Sequence, residues 1–168
     1  MFSFNEAFVP IDLGPRPQVI SIESLKVSDI EGYIDSVLVR IPNFDPKEDS
    51  SIIAALSGVY RRRLKLPEWW TMLVAKSERK IVAGLEGEID NSRKSGKINW
   101  VHVDQRFKRN KIATNLYAAY ASVLRNEGID QMTAYVDSQN FASHAFHRSL
   151  GFEPLRRSRD GFMYRKSL

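Results

Sequence analysis

The sequence predicts an α/β fold: a mixed, largely antiparallel central sheet flanked by helices. Three observations predict it. Strand-like runs at 69–76, 80–90 and 97–103 follow one another with connections as short as Ser77-Glu78-Arg79, and short turns join antiparallel neighbours. The chain then changes to strand, helix, strand, helix, so strands and helices must share one core. Finally, 168 residues that are 43% hydrophobic suit one domain with a substantial core of its own.

Taken in order, residues 1–17 hold Pro10, Pro15, Pro17 and Gly14 and read as an irregular N-terminal arm. Residues 18–168 read as a single domain. Val19-Ile-Ser-Ile-Glu23 alternates as a strand. Ser28 and Glu31 have capping-box spacing ahead of a helix through Tyr33, Ile34, Val37 and Leu38 that should stop before Pro42. A second helix over 47–64 places Ile52, Ile53, Leu56, Val59 and Tyr60 on one face, and Arg61-Arg62-Arg63 suits the negative end of its dipole. After the three strands, a helix from Ile112 to Asn126 carries a stripe of Ala113, Leu116, Tyr117, Tyr120 and Leu124 and ends at Gly128. A strand at 132–137, a short helix at 142–150 and a final hairpin complete the chain.

Composition excludes several classes. With no Cys there is no thiolate nucleophile, no Cys-based zinc site and no disulfide framework. No apolar run approaches the roughly 18 residues of a membrane helix. The start, Met1-Phe-Ser-Phe-Asn-Glu6, lacks the basic and apolar segments of a secretory signal, and the expectation is a soluble, cytoplasmic protein. Residues 1–92 carry 11 basic and 14 acidic side chains, whereas residues 93–168 carry 14 and 6. The second part should attract an anion: nucleic acid, a phosphorylated cofactor or an acidic substrate.

Two segments carry chemistry. In Val101–Leu116 a strand runs through a turn with Arg106, Lys108, Arg109 and Lys111 into a helix N-terminus. Unpaired N–H groups, the helix dipole and the basic side chains make an anion site that fits a pyrophosphate, with an ordinary solvated turn as the alternative. In Asn140–Phe152, helical spacing buries Ala142, Ala145, Phe146, Ser149 and Leu150, sets Ser143 and His147 at the border, and points His144 and Arg148 to solvent. No carboxylate partner accompanies the His-x-x-His pair, which argues against a metal site. His102 points away from Val101 and Val103 and reads as packed or surface.

Together these segments resemble the GNAT superfamily of N-acetyltransferases. Its signature V-x-P-x-[YF]-R-G-x-G-[IL]-[GA]-x-x-L aligns with Val103-Asp-Gln-Arg-Phe107-Lys108-Arg109-Asn110-Lys111-Ile112-Ala113 and Leu116. Its N-x-x-[AS]-x-x-x-Y-x-x-x-G-F matches at Asn140, Ser143, Gly151 and Phe152. The resemblance implies acetyl-CoA as co-substrate, in a groove where the strand of Val101 and Val103 splays from the next parallel strand. Lys108 and the N–H groups of Arg109, Asn110, Lys111, Ile112, Ala113 and Thr114 would hold the pyrophosphate. Asn140 would bind along the pantetheine arm, with Ser143 beside it.

The chain departs from that pattern twice. Arg109 and Lys111 replace turn glycines, and Lys108 the leading Arg; His147 replaces the Tyr that protonates the departing thiolate. An imidazole has a reference pKa near 6.5 against about 10 for a phenol, so a protonated His147 is the stronger acid but a less populated one. The run around His147 also looks like that of relatives acetylating phosphinothricin and similar small amino acids. Lys97 and Asn99 stand where relatives carry a base, which leaves Glu86 and Glu88 as candidates; Asp90, on the same face, reads as a solvated edge. The resulting expectation is transfer of an acetyl group to an amine of a small molecule or protein by direct attack. Residues about 27–70 and the last hairpin would select the acceptor, Trp69 and Trp70 could wall it, and a homodimer is allowed. A degenerate acyl-CoA-binding sensor or scaffold is the second reading. A nucleic-acid module comes third, since no stacking or groove-reading motif accompanies the charge.

Overall fold

A computed structural model of the chain describes residues 7–11, 18–38 and 50–168. Among these residues, eight strands form one sheet in the order β1-β2-β3-β4-β5-β6-β8-β7. They are β1 (Ala7–Ile11), β2 (Gln18–Ser24), β3 (Trp70–Ser77), β4 (Lys80–Asp90), β5 (Ser95–Val103), β6 (Gln131–Asp137), β7 (Glu153–Arg157) and β8 (Gly161–Ser167). Every neighbouring pair is antiparallel except β5–β6, which is parallel. The predicted architecture and the three-strand meander are therefore present.

The helices divide over the two faces. On one face, α1 (Ile30–Leu38) and α2 (Ser50–Arg63) cover a core of Leu25, Ile30, Tyr33, Ile34, Leu38, Tyr60, Met72 and Val74. On the other, α3 (Ile112–Asn126) and α4 (Phe141–Ser149) lie over the larger core, where Leu116, Tyr120 and Leu124 are fully buried. The helix predicted at Ile112–Asn126 has those bounds because its apolar period and its terminator agree. Tyr120 and Leu124 sit so close to the sheet that a Cβ on Gly87 would come within 2.4 Å of the Tyr120 ring, and one on Gly96 within 2.3 Å of Leu124.

Some expectations change. The N-terminal arm contains β1, whose Ala7–Ile11 pairs with Gln18–Ile22; alternation too short to register from sequence is supplied by the partner strand. Residues 1–6, 12–17 and 39–49 lie outside the described residues, and with them the helix stop before Pro42 and the start of the 47–64 helix. Ahead of α1, a 3-10 turn at Val27–Asp29 intervenes, and the Asp29 carboxylate, not Glu31, accepts the Lys26 N–H at 3.3 Å. In α2, Tyr60 is buried and Ile53 and Leu56 pack on the core, but Ile52 is exposed. Trp69 lies in the turn ahead of β3, exposed.

Gly87→Ala should destabilise by about 1–3 kcal/mol through overpacking against Tyr120. Gly32→Ala, in α1 with nothing nearer than 3.9 Å to the new methyl, should be neutral or stabilising. Urea midpoints of the two variants check it.

Candidate active site

The site is built where the parallel pair comes apart. β5 and β6 pair from Ser95↔Gln131 to Ile98↔Ala134 and no further. β6 continues straight, held by β8 as far as Asp137↔Gly161. β5 is diverted by a bulge: Glu86 opposes Trp100 and Gly87 opposes Ile98, so Asn99 is an extra residue. A bulge bends and twists its strand, and here it carries residues 99–103 away from β6. The backbone edge of Asn99–Val103 has no strand partner on the β6 side. The extra residue also reverses side-chain parity. Ile98, Val101 and Val103 all pack toward the α3 core, whereas Trp100 and His102 point to the α1 side. His102 is buried there, against the Tyr33 ring and bonded to Ser36 Oγ at 3.0 Å, as the packed alternative for it requires.

The turn after β5 is tightly organised. Asp104 accepts the Arg106 N–H at 2.9 Å and pairs with the Arg106 guanidinium. Asn110 Nδ2 bridges the carbonyls of Phe107 (3.3 Å) and Lys108 (3.2 Å). Arg109 and Lys111 then adopt φ of 65° and 57°, the left-handed conformation that glycine takes without penalty. The glycine-like bend is thus kept without glycine. Lys111 is the N-cap of α3 and makes no side-chain cap, so the first-turn N–H groups at Ile112, Ala113 and Thr114 keep the anion-attracting polarity of a helix N-terminus. The Lys108, Arg109 and Lys111 side chains are exposed, and none pairs with a carboxylate among the described residues. They fit a pyrophosphate: backbone donors in front, three cations around, and an open strand edge beside them.

α4 presents His147 differently from the sequence expectation. The buried stripe is centred on His147, with Ser143, Phe146 and Leu150 partly covered, while Ala142, Ala145 and Ser149 are exposed. His144 is half-buried rather than pointing freely to solvent: Nδ1 bonds Tyr164 Oη at 3.0 Å and the ring meets Phe162 edge-on. The β7–β8 hairpin supplies these contacts, and helical spacing alone cannot tell which flank a hairpin will cover. His147 stacks on Tyr164, centroids 5.9 Å apart. Tyr164 pairs with Ala134, the last β6 residue paired to β5, so His147 stands level with the apex of the opening. Its Nδ1 lies 2.8 Å from the Ser143 carbonyl, which can only accept, so Nδ1 carries the proton and Nε2 accepts the Tyr117 hydroxyl at 2.9 Å. Burial pushes the His147 pKa below its ordinary value. Tyr117, read from sequence as core stripe, is therefore also part of the site. Asn140 caps α4, its Oδ1 accepting the Ser143 N–H at 3.0 Å.

The two candidate carboxylates separate. Glu86 is buried, and both its oxygens are engaged: Oε1 accepts from Tyr33 and Tyr60, each at 2.9 Å, and Oε2 pairs with Arg63. Burial, with the Glu86 charge beside it, raises the pKa of the Tyr33 hydroxyl, and the same two causes act on Tyr60. These partners come from 23 to 53 residues away, so no local signal could reveal them, and Arg63 serves this pair beyond any dipole role. Glu88 is half-buried and, among the described residues, accepts one long bond, from Asn99 Nδ2 at 3.3 Å. Asp90 organises the following turn through Ser92 and Arg93.

The model of the acetyltransferase (GNAT) family matches residues 44–152. Acetyl-CoA is the co-substrate of that family. No curated protein matches the chain in sequence. Among solved structures, PaiA N-acetyltransferase from Thermoplasma acidophilum in complex with coenzyme A superposes with a TM-score of 0.74 at 16% identity, over 89% of this chain and 99% of that one. The GNAT domain of S. lividans PAT gives 0.74 at 15% identity, with 97% of each covered. The Escherichia coli ribosomal-protein-S18-alanine N-acetyltransferase gives 0.68 at 16%, over 88% and 93%. At such identities the likeness is one of fold.

Arg109→Gly should be more stable than Arg109→Ala by about 1 kcal/mol, since only glycine relieves the left-handed strain; denaturant midpoints measure it. Glu86→Gln should cost about 3 kcal/mol by stranding Arg63, while Glu88→Gln stays within about 0.5 kcal/mol of the parent.

Proposed function

Because the chain belongs to the GNAT acetyltransferase family, we propose that it transfers the acetyl group of acetyl-CoA to a primary amine by direct attack. The observation that carries the reading is the parted β5–β6 pair leading into the bent, cation-ringed start of α3. Pantetheine adds to the open edge of Val101–Val103 as an extra strand would. The N–H groups from Arg109 to Thr114, with Lys108 and Lys111, take the pyrophosphate; Asn140 and Ser143 flank the pantetheine arm. Since Asn140 Oδ1 serves as the α4 cap, Nδ2 is the atom that reaches the arm.

At the apex, the neutral amine nitrogen bonds to the thioester carbon, an N–H of Val103 or its neighbour polarises the carbonyl oxygen, and the C–S bond breaks. Holding amine and thioester together contributes much of the acceleration. Glu88, directly or through a water, removes the ammonium proton; Glu86 is saturated by three donors and positions α1 and α2. Protonated also at Nε2, His147 returns a proton to the leaving sulfur through the Tyr117 hydroxyl it contacts, and ends neutral. Its depressed pKa makes the protonated ring a strong acid, and a thiolate forming nearby favours protonation as charge develops. A cytoplasmic setting and a homodimer belong to the same proposal. The binding-only reading is favoured by one observation, the side chains of Arg109 and Lys111 standing where close approach of phosphates needs room.

Thiol release from acetyl-CoA against a panel of amines tests the proposal. His147→Phe should lower kcat at least tenfold with acetyl-CoA affinity changed less than about twofold; unchanged kcat removes His147 from the mechanism. Coenzyme A heat without transfer to any amine supports the binding-only reading. The lowered His147 pKa also fixes a sign. The folded protein binds this proton less readily than the unfolded chain, so stability is full above about pH 6.5 and declines as pH falls through the His147 values. Denaturant midpoints across that range should show a shallower decline for His147→Phe.

A further inference from the structure

The face of the sheet away from α3 carries aromatic surface that the coenzyme groove does not use. Trp70, Glu88 and Lys97 form one cross-strand row, and Met72, Glu86 and Trp100 the next. Directly opposed residues share a face, and Glu86 fixes which one by reaching Tyr33 of α1 and Tyr60 of α2. With strands about 4.8 Å apart and a two-residue step of about 6.7 Å, Trp70 and Trp100 stand roughly 12 Å apart at the backbone. Glu88 lies between them. Trp100 is 48% exposed although it sits in mid-sheet, two residues beyond the last β5–β6 pair. Trp70 is held in place: the Arg63 guanidinium stacks 4.2 Å from its ring centroid, and Glu86 holds Arg63. The Glu88 carboxylate is steadied by Asn99, the bulge residue itself. Trp100 thus stands beside the opening, just beyond the last β5–β6 pair, and Glu88 and Trp70 continue from it across the same face of the sheet.

We propose, resting on the acetyl-transfer reading, that this cradle is the acceptor site and takes a primary amine borne on a flat aromatic body. The indoles offer stacking area to the ring and a negative face to the ammonium. Glu88 attracts the ammonium and then takes its proton. The Arg63 charge is matched by Glu86 and does not repel the acceptor. Lys97, opposite Glu88 on β5, adds one positive charge to the row and disfavours polycations.

2-Phenylethylamine, butylamine and spermidine are the probes. The parent protein should show a KM for 2-phenylethylamine at least tenfold below those of the other two. Trp100→Ala should raise that KM about tenfold while its kcat, the butylamine KM and the acetyl-CoA KM stay within about twofold. Leu155→Ala, which trims an exposed side chain on β7, should change none of them. Equal KM values for 2-phenylethylamine and butylamine, or an equal loss for both in Trp100→Ala, overturn the cradle. Calorimetry of 2-phenylethylamine, with the protein alone and saturated with coenzyme A, gives the readout independent of turnover. Binding that Trp100→Ala weakens tenfold supports the cradle even if coenzyme A gives no heat and the acetyl-transfer reading falls. Absence of amine heat in both states overturns the cradle, while acetylation of other amines leaves acetyl transfer standing.

Discussion

One extra residue in β5 governs the molecule. A parallel pair continues for as long as both strands keep the same twist, and Asn99 ends that agreement by inserting itself opposite the Glu86–Gly87 step. β6 cannot follow the deflected strand, because β8 holds it on its far side as far as Asp137. The ladder therefore opens in one direction only, toward the α3 N-terminus. The same insertion exchanges the faces of everything beyond it. Without the bulge Trp100 would point with Ile98 into the α3 core; with it, Val101 and Val103 take that side, and Trp100 and His102 turn toward α1 and α2.

The turn beyond the opening shows what a fold can hold fixed while side chains change. Left-handed backbone at two non-glycine residues costs of order 1–3 kcal/mol each. The surrounding contacts over-determine that shape. Asp104 clamps Arg106 ahead of the bend, the Asn110 amide spans two carbonyls within it, and Ile112 immediately after it is 1% exposed. A rearrangement that freed Lys111 from φ 57° would withdraw Ile112 from the core. Exchanging glycine for a cation gives up close backbone approach to a phosphate and gains charge around it.

What could be read from the sequence was local. The bounds of α3 and the strands of the meander rest on periodicity and turn chemistry within a dozen residues, and these agree with the fold. The bend could be placed from its motif, although its glycines are gone. The buried stripe of α4 could not, because small alanines are compatible with either side and the hairpin that covers His144 is folded from residues further along. Glu86 shows the deeper limit. Its strand face was legible from alternation, but its three donors arrive from two helices, and only packing decides whether a carboxylate on that face is a base or a pin.

That distinction orders the chemistry on the two faces. A carboxylate that accepts two phenols and a guanidinium has both oxygens engaged, and it holds two helices to the sheet. Glu88, one row nearer the hairpin end, has a single long bond among the described residues and partial access to water. The proton balance of the proposed transfer then runs across the sheet, off the amine on the Trp70–Trp100 face and onto sulfur on the His147 face. The strand between them is β5, which keeps its pairing to β4 while its other edge is open beyond Ile98; in the proposed transfer the acyl group lies along that edge. A bulge that opens the sheet and a side-chain inversion that furnishes its two faces are therefore the same structural event, produced by Asn99.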